Sequence, residues 1–132
     1  MRETLEVKIE KKVVEEVWTW LGIKGSKLKV DGERAYPDRV FWLPGGKPLF
    51  IEFKRPGEPL RKNQQKKCEW LRQLGYSVKV FDNVADAYEA ICQAVASQVT
   101  SQKSRQIFDR ARARGAVLRS RFGKNQLDPR RP

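Results

Sequence analysis

Histidine is absent from the 132 residues. That removes serine–histidine and cysteine–histidine nucleophiles and most zinc hydrolase sites, all of which use imidazole as base or ligand. Catalysis would have to rest on carboxylates, lysine, tyrosine or a metal ion held by oxygens. Cysteine is nearly absent. Cys68 and Cys92 are far apart, each on a predicted helix, so no zinc spacing or disulfide framework arises. They read as small buried hydrophobes in a reducing cytosol. No apolar run approaches the roughly 18 residues that span a bilayer, and no signal peptide is visible. A cytoplasmic chain without a membrane partner is expected. Acids are scarce beside bases, 16 against 28, for a formal charge of +12. Such an excess either solubilises the surface or meets a polyanion, nucleic acid before acidic membrane. The length suits one domain, and a hydrophobic fraction of 39% can still build a core.

Leu5, Ile9, Val13, Val17, Trp20 and Leu21 recur at helical spacing and Gly22 stops the run, which predicts a helix over 4–21. Lys27 to Val30 reads as a short strand before an Asp31-Gly32 turn. Residues 38–43 and 48–54 flank a turn at Pro44-Gly45-Gly46-Lys47 and read as a β-hairpin. Pro56-Gly57-Glu58-Pro59 breaks the chain. A helix over about 60–74 with a glycine stop, a strand at 77–81 and a helix over about 84–98 follow. The unit from 48 to 81 reads as a parallel crossover. The fold class expected is α/β, a small mixed β-sheet flanked by helices. From Ser97 the composition shifts: ten bases and two acids give +8 of the +12. Part of this extension, about 104–121, keeps helical periodicity, and 124–132 is expected to be disordered. It is either a solvated extension or an added nucleic-acid clamp or dimer arm.

The hairpin carries the chemistry. With period two, Phe50, Glu52 and Lys54 share one face of their strand and Leu49, Ile51 and Phe53 the other. Charges inside so apolar a strand cost several kcal/mol unless paired or metal-bound. Asp38, opening the neighbouring strand, reaches the same face if the register brings it across. Two carboxylates suit Mg2+ or Mn2+, which prefer oxygen ligands and keep room for water and a substrate phosphate. A nearby lysine adds positive charge where the phosphate develops negative charge. A Glu-x-Lys triplet alone is weak, because any charged strand contains such pairs. The ordered set is stronger: Pro37-Asp38 at a strand start, a turn, Glu52-x-Lys54, a glycine break, then Gln64 early in a helix.

In those blocks the chain resembles the PD-(D/E)-x-K nucleases, and within them the VRR-NUC branch of stand-alone phage and bacterial proteins. The matching pieces are Asp38-Arg39, Leu43-Pro44-Gly45-Gly46-Lys47, Phe50 to Gly57, Leu60 with Asn63-Gln64, and Leu71, Leu74-Gly75 and Val78–Val80. The likeness spans about residues 5–92. It implies a restriction-endonuclease-like core in αβββαβα order over 1–96, with 97–132 as a basic extension. It implies Asp38 and Glu52 as metal ligands, Lys54 as catalytic lysine, and Gln64 as the supporting helix glutamine. An acid on the first helix completes the set, both as ligand and in catalysis. Glu10 is the choice, with Glu15 and Glu16 behind it. Arg61 departs from the small hydroxyl residue usual three positions before the glutamine. The resemblance further implies a homodimer that cuts branched DNA such as four-way junctions, with no cofactor beyond the metal.

The candidate phosphate contacts are Arg39, Arg55, Arg61 and Lys62 beside the motif, and Arg110, Arg112 and Arg114 in the extension. Trp18, Trp20, Trp42 and Trp70 lie on elements with apolar partners and read as core or dimer interface in preference to base-stacking platforms. Two other functions stand beside the nuclease: a non-catalytic basic DNA-binding module on the same scaffold and, more distantly, an RNA-binding or RNA-processing protein.

Overall fold

A computed structural model describes residues 2–123; the disorder expected for 124–132 lies outside the described residues. The chain runs α1 (Leu5–Leu21), β1 (Gly25–Lys27), β2 (Arg39–Leu43), β3 (Lys47–Phe53), α2 (Lys62–Gln73), β4 (Ser77–Phe81), α3 (Val84–Ala96) and α4 (Gln102–Phe122). The four strands form one mixed sheet in the order β1-β2-β3-β4. The β1–β2 and β2–β3 pairs are antiparallel and β3–β4 is parallel, so α2 is the crossover helix that the sequence suggested.

Side-chain alternation divides the core in two. Phe41, Leu49, Ile51 and Phe53 face one side and pack with Ile9, Val13 and Val17 of α1 and Tyr88 and Ile91 of α3. The other side is smaller: Cys68 and Leu71 of α2 cover Val78, with Tyr36, Phe50 and Leu60 at its margin. Glu52 and Lys54, having the parity of Phe50, belong to this α2 side. Both cysteines are free and buried, and burial pushes the Cys92 thiol up to about 11.

The hairpin turn is shorter than the sequence suggested. Leu43 pairs with Lys47, leaving Pro44-Gly45-Gly46 as the loop, with both glycines at positive φ. The first strand is also displaced, from the expected 27–30 to 25–27. Its partner explains this. β2 begins at Arg39, just after Pro37, which has no N–H to donate, so a strand beyond Lys27 has little left to pair with. A last bond from Leu28 N–H to the Asp38 carbonyl (3.2 Å) ends the ladder. The earlier start needs Gly25, which sits opposite Phe41 in the register. A Cβ there would lie 2.5 Å from the Phe41 ring. Gly25→Ala is expected to cost about 1–3 kcal/mol by overpacking a fully buried ring, read as a lowered urea midpoint. An unchanged midpoint would mean that β1 is loosely held.

The basic extension folds onto the core. Ser101 caps α4 by accepting from the Ser104 N–H (3.0 Å), and Phe108 and Leu118 enter the main cluster. Tyr88 of α3 donates to the Ala111 carbonyl at 2.6 Å, with Gly115 against the same ring. Glu16 of α1 takes two bonds from Arg114, at 2.6 and 3.0 Å. Of the four tryptophans, Trp20 packs against the main cluster, while Trp18, Trp42 and Trp70 are exposed on this single chain and are not part of its core.

Candidate active site

The β2–β3 register assembles the site. Arg39 opposes Ile51, so the next pair outward sets Asp38 opposite Glu52. Directly opposed residues share a sheet face, with their Cβ atoms about 5 Å apart. The pairing continues past the strand end through a side chain: Asp38 Oδ2 accepts from the Phe53 N–H at 2.8 Å. On the other edge of β3, the Lys54 N–H donates to the Phe81 carbonyl at 2.9 Å, which prolongs the parallel ladder and fixes the lysine backbone.

The side chains converge around Glu52. Its Oε2 accepts from Gln64 Nε2 at 2.9 Å and lies 3.6 Å from Lys54 Nζ. Local helix chemistry orients Gln64. It stands in the first turn of α2, and its Oε1 accepts from the Arg61 N–H at 2.9 Å, as the third residue of a capping arrangement does. With the oxygen so engaged, the amide nitrogen points to Glu52. The position of Arg61 therefore serves through its backbone, which explains how an arginine can stand there.

Glu52 is 4% exposed and Lys54 6%. Burial, followed by the adjacent negative charge of Asp38, raises Glu52 to about 8, with Lys54 partly offsetting the rise. One Glu52 oxygen, Oε1, is buried and has no hydrogen-bond partner. A buried acceptor without a donor costs about 1–3 kcal/mol, and burying two neighbouring carboxylates compounds it. The donor set fits a hard divalent cation, which commonly takes one or two carboxylates and completes its shell with water and phosphate oxygens. Among the described residues, no cluster of three or more His, Cys, Asp or Glu side chains is placed to hold a metal.

Glu10 is not part of this cluster. Its carboxylate receives Arg39 Nε at 2.6 Å, and Arg39 has the parity of Phe41, on the α1 side of the sheet. Arg39 also donates to the Gly25 carbonyl at 3.0 Å. Both groups are thus tied into the fold where they stand. One turn earlier on α1, a Glu6 oxygen approaches Arg55 at 3.5 Å and makes no hydrogen bond. Arg55 in turn pairs with Glu58 at 3.3 Å, and Glu58 lies 3.6 Å from Lys54. Glu58 was missed in the sequence because it sits in the Pro-Gly break. Its only signal was the four-residue spacing from Lys54.

The remaining cations divide. Arg61 and Lys62 are exposed at the start of α2, beside the site. Arg110, Arg112 and Arg114 are on α4, which packs against α3 and α1, the layer opposite the α2 side. Arg112 lies over the Phe108 ring, and Arg114 is engaged by Glu16.

Comparison with known proteins agrees with this geometry. The VRR-NUC domain family matches residues 31–85, the span from the Asp31 turn to the start of α3. The chain is 41% identical over 83 residues to "Putative nuclease p44" of Acyrthosiphon pisum secondary endosymbiont phage 1, covering 63% of this chain and 88% of that protein. A solved structure described as "VRR_NUC domain" superimposes with a TM-score of 0.61 at 26% identity, over 67% of this chain and 96% of the other. The matched span contains the motif blocks, the fold is shared with the solved domain, and the chain belongs to the VRR-NUC domain family.

Proposed function

We propose that this chain is a divalent-metal-dependent endonuclease of PD-(D/E)-x-K type that hydrolyses phosphodiester bonds in branched DNA, four-way junctions included, and works as a homodimer. The observation that carries the reading is the unpartnered, buried Oε1 of Glu52 beside Asp38. Two carboxylates so placed stabilise the fold poorly and a cation well. The phage relative's name supports nuclease chemistry, and the charge of +12 supports a polyanionic substrate.

Asp38 and Glu52 would hold Mg2+ or Mn2+, which supplies an activated water and neutralises charge on the reacting phosphate. Lys54 brings a fixed positive charge within reach of the phosphate oxygens, where negative charge grows in the transition state. Its ammonium is shared between Glu52 and Glu58, so it is held in place before substrate arrives. Gln64 keeps the Glu52 carboxylate in one orientation, and the α2 cap keeps Gln64 in one orientation. Arg61 and Lys62, exposed at the start of α2, would meet the flanking phosphates.

The test is incubation with end-labelled four-way junctions, flaps and linear duplex in Mg2+ or Mn2+, with an EDTA control. Junctions and flaps are expected to be cut in preference to linear duplex, and EDTA to stop all cutting. Light scattering is expected to give twice the chain mass. Binding without cleavage of any substrate would overturn the enzyme reading and leave a non-catalytic DNA-binding module.

A further inference from the structure

A concavity of about 280 Å3 is lined by Arg34, Ala35, Asn63, Lys66, Lys67 and Trp70. Its lining brings one indole together with three cations. Trp70 is 45% exposed, although it sits on a helix whose other face builds the smaller core. Its ring meets Tyr36 edge-on, at 6.4 Å between centroids and 81° between planes, so its own faces are not stacked on Tyr36. The Lys67 ammonium lies over the Tyr36 ring at 4.3 Å from its centroid and over the Trp70 ring at 5.2 Å, so it already covers one face of the indole and a base would have to take the other. Glu33, next to Arg34 in sequence, takes a bond from Tyr36 Oη (3.3 Å) and pairs with Lys67 (3.4 Å). No bond or ion pair from Glu33 to Arg34 or Lys66 is seen.

The backbone of this loop is held in an uncommon state. Ala35 has φ of +70°, the one non-glycine residue in the left-handed region among those described. An alanine there costs about 1–2 kcal/mol, and such strain persists where the surroundings over-determine it. Ala35 stands between Arg34 and Tyr36 and lines the concavity itself. The pocket and the carboxylate pair share two supports. Asn63 lines the pocket and accepts from the Gln64 N–H at 2.9 Å, while Gln64 holds Glu52. Tyr36 stands two residues before Asp38 on the same segment.

We infer that this pocket takes one unpaired nucleotide of the substrate strand, its base against the Trp70 indole and its phosphate between Arg34 and Lys66. The chemistry selects that occupant. An exposed indole offers a π-face to any base, and the flanking cations offer charge to a phosphate. In a paired duplex the bases are stacked on each other and unavailable. An unpaired nucleotide at a flap or branch point is free to leave its stack. This inference rests on the nuclease reading and deepens it, since it says how this fold distinguishes branched from continuous DNA.

The experiment measures binding without cleavage, in EDTA, by anisotropy. It uses two labelled duplexes of equal length, one fully paired and one with a three-nucleotide unpaired flap. The wild-type chain is expected to prefer the flapped duplex. Trp70→Ala is expected to weaken flap binding about 10-fold and to leave paired duplex within a factor of two. Trp70→Phe, which keeps a stacking face and guards against a folding defect, is expected to restore most of the preference. Arg34→Gln and Lys66→Gln are each expected to reduce the salt slope for the flapped duplex by about one. Equal affinity of the wild-type chain for both duplexes, or an equal loss on both in Trp70→Ala, would overturn the inference. Cleavage assays with Mg2+ separate it from the nuclease reading. A chain that cuts nothing but keeps the Trp70-dependent preference refutes the nuclease alone. One that cuts flaps and paired duplex alike, before and after Trp70→Ala, refutes the pocket and the branched-DNA preference and leaves the nuclease chemistry standing.

Discussion

Glu52→Gln is expected to abolish cleavage while stabilising the metal-free protein. Both effects come from the same oxygen. In the absence of a cation, Glu52 holds a carboxyl group in a nearly dry site against Asp38, with one oxygen unbonded. A glutamine fits the same space, keeps an acceptor for Gln64 Nε2, and offers its own N–H groups to Asp38. It carries no charge to desolvate. The gain is expected at about 1–3 kcal/mol at pH 7 in EDTA, read by urea unfolding. The sign follows from the direction of the shift. Glu52 is raised from 4.5 to about 8 on folding, so its contribution is fully present below about 4.5 and is lost as pH rises through 8. The advantage of glutamine should therefore vanish near pH 4.5 and grow toward pH 8. Cleavage should fall at least about 1,000-fold, because a neutral amide is a poor ligand for a hard cation. Asp38→Ala and Lys54→Ala should lose cleavage comparably while DNA binding persists. If Glu52→Gln were the less stable protein at pH 8 in EDTA, the carboxylate would not be the desolvated group described above. Normal cutting by Lys54→Ala would remove the lysine from the mechanism.

What the sequence could reveal of this site follows from how its parts are built. Glu52 and Lys54 were legible because strand parity places them with little freedom, whereas the parts of Asp38 and Gln64 came from the family resemblance. Period two puts Glu52 beside Lys54, and Gln64, three residues after Arg61, stands in the first turn of the helix that opens at Lys62. Glu10 was harder. α1 is one element among three on its side of the sheet, and helical spacing says which residues share a stripe without saying which cation meets them. Arg39 does, at 2.6 Å. The position of β1 was obscured because Leu28 and Val30 alternate as a strand would, and pairing with β2, which ends the ladder, is a tertiary fact. The tryptophans divide between core and surface for a related reason. Apolar bulk predicts burial on average, yet Trp70 lies on the outward side of α2, where charge and an uncommon loop conformation surround it.

The basic extension presents the sharpest division between composition and role, and Arg114 shows it. By charge alone it belongs with Arg110 and Arg112 as a phosphate contact. In the fold its guanidinium forks onto both oxygens of Glu16, a carboxylate only 4% exposed. Lys12 adds a second cation at 3.2 Å. Arg114→Ala is therefore expected to destabilise the protein by about 2–4 kcal/mol, because it leaves a buried carboxylate with one partner. For a domain of this size that is a fall of roughly 8–16 °C in Tm. The double substitution Glu16→Leu/Arg114→Met removes both charges, keeps comparable volume, and should recover most of the loss. The acid limb follows from the pair. The hydrogen bond from Arg114 holds Glu16 below its ordinary 4.5, so the pair contributes above that value and is lost as pH falls through the lowered one. The gap in Tm between the wild type and Arg114→Ala should narrow below pH 4.5. The double variant should also bind DNA with an unchanged salt slope, because the arginine is already occupied by a carboxylate. A slope reduced by about one would instead return Arg114 to the phosphate contacts, and an undiminished Tm for Arg114→Ala would detach α4 from the core.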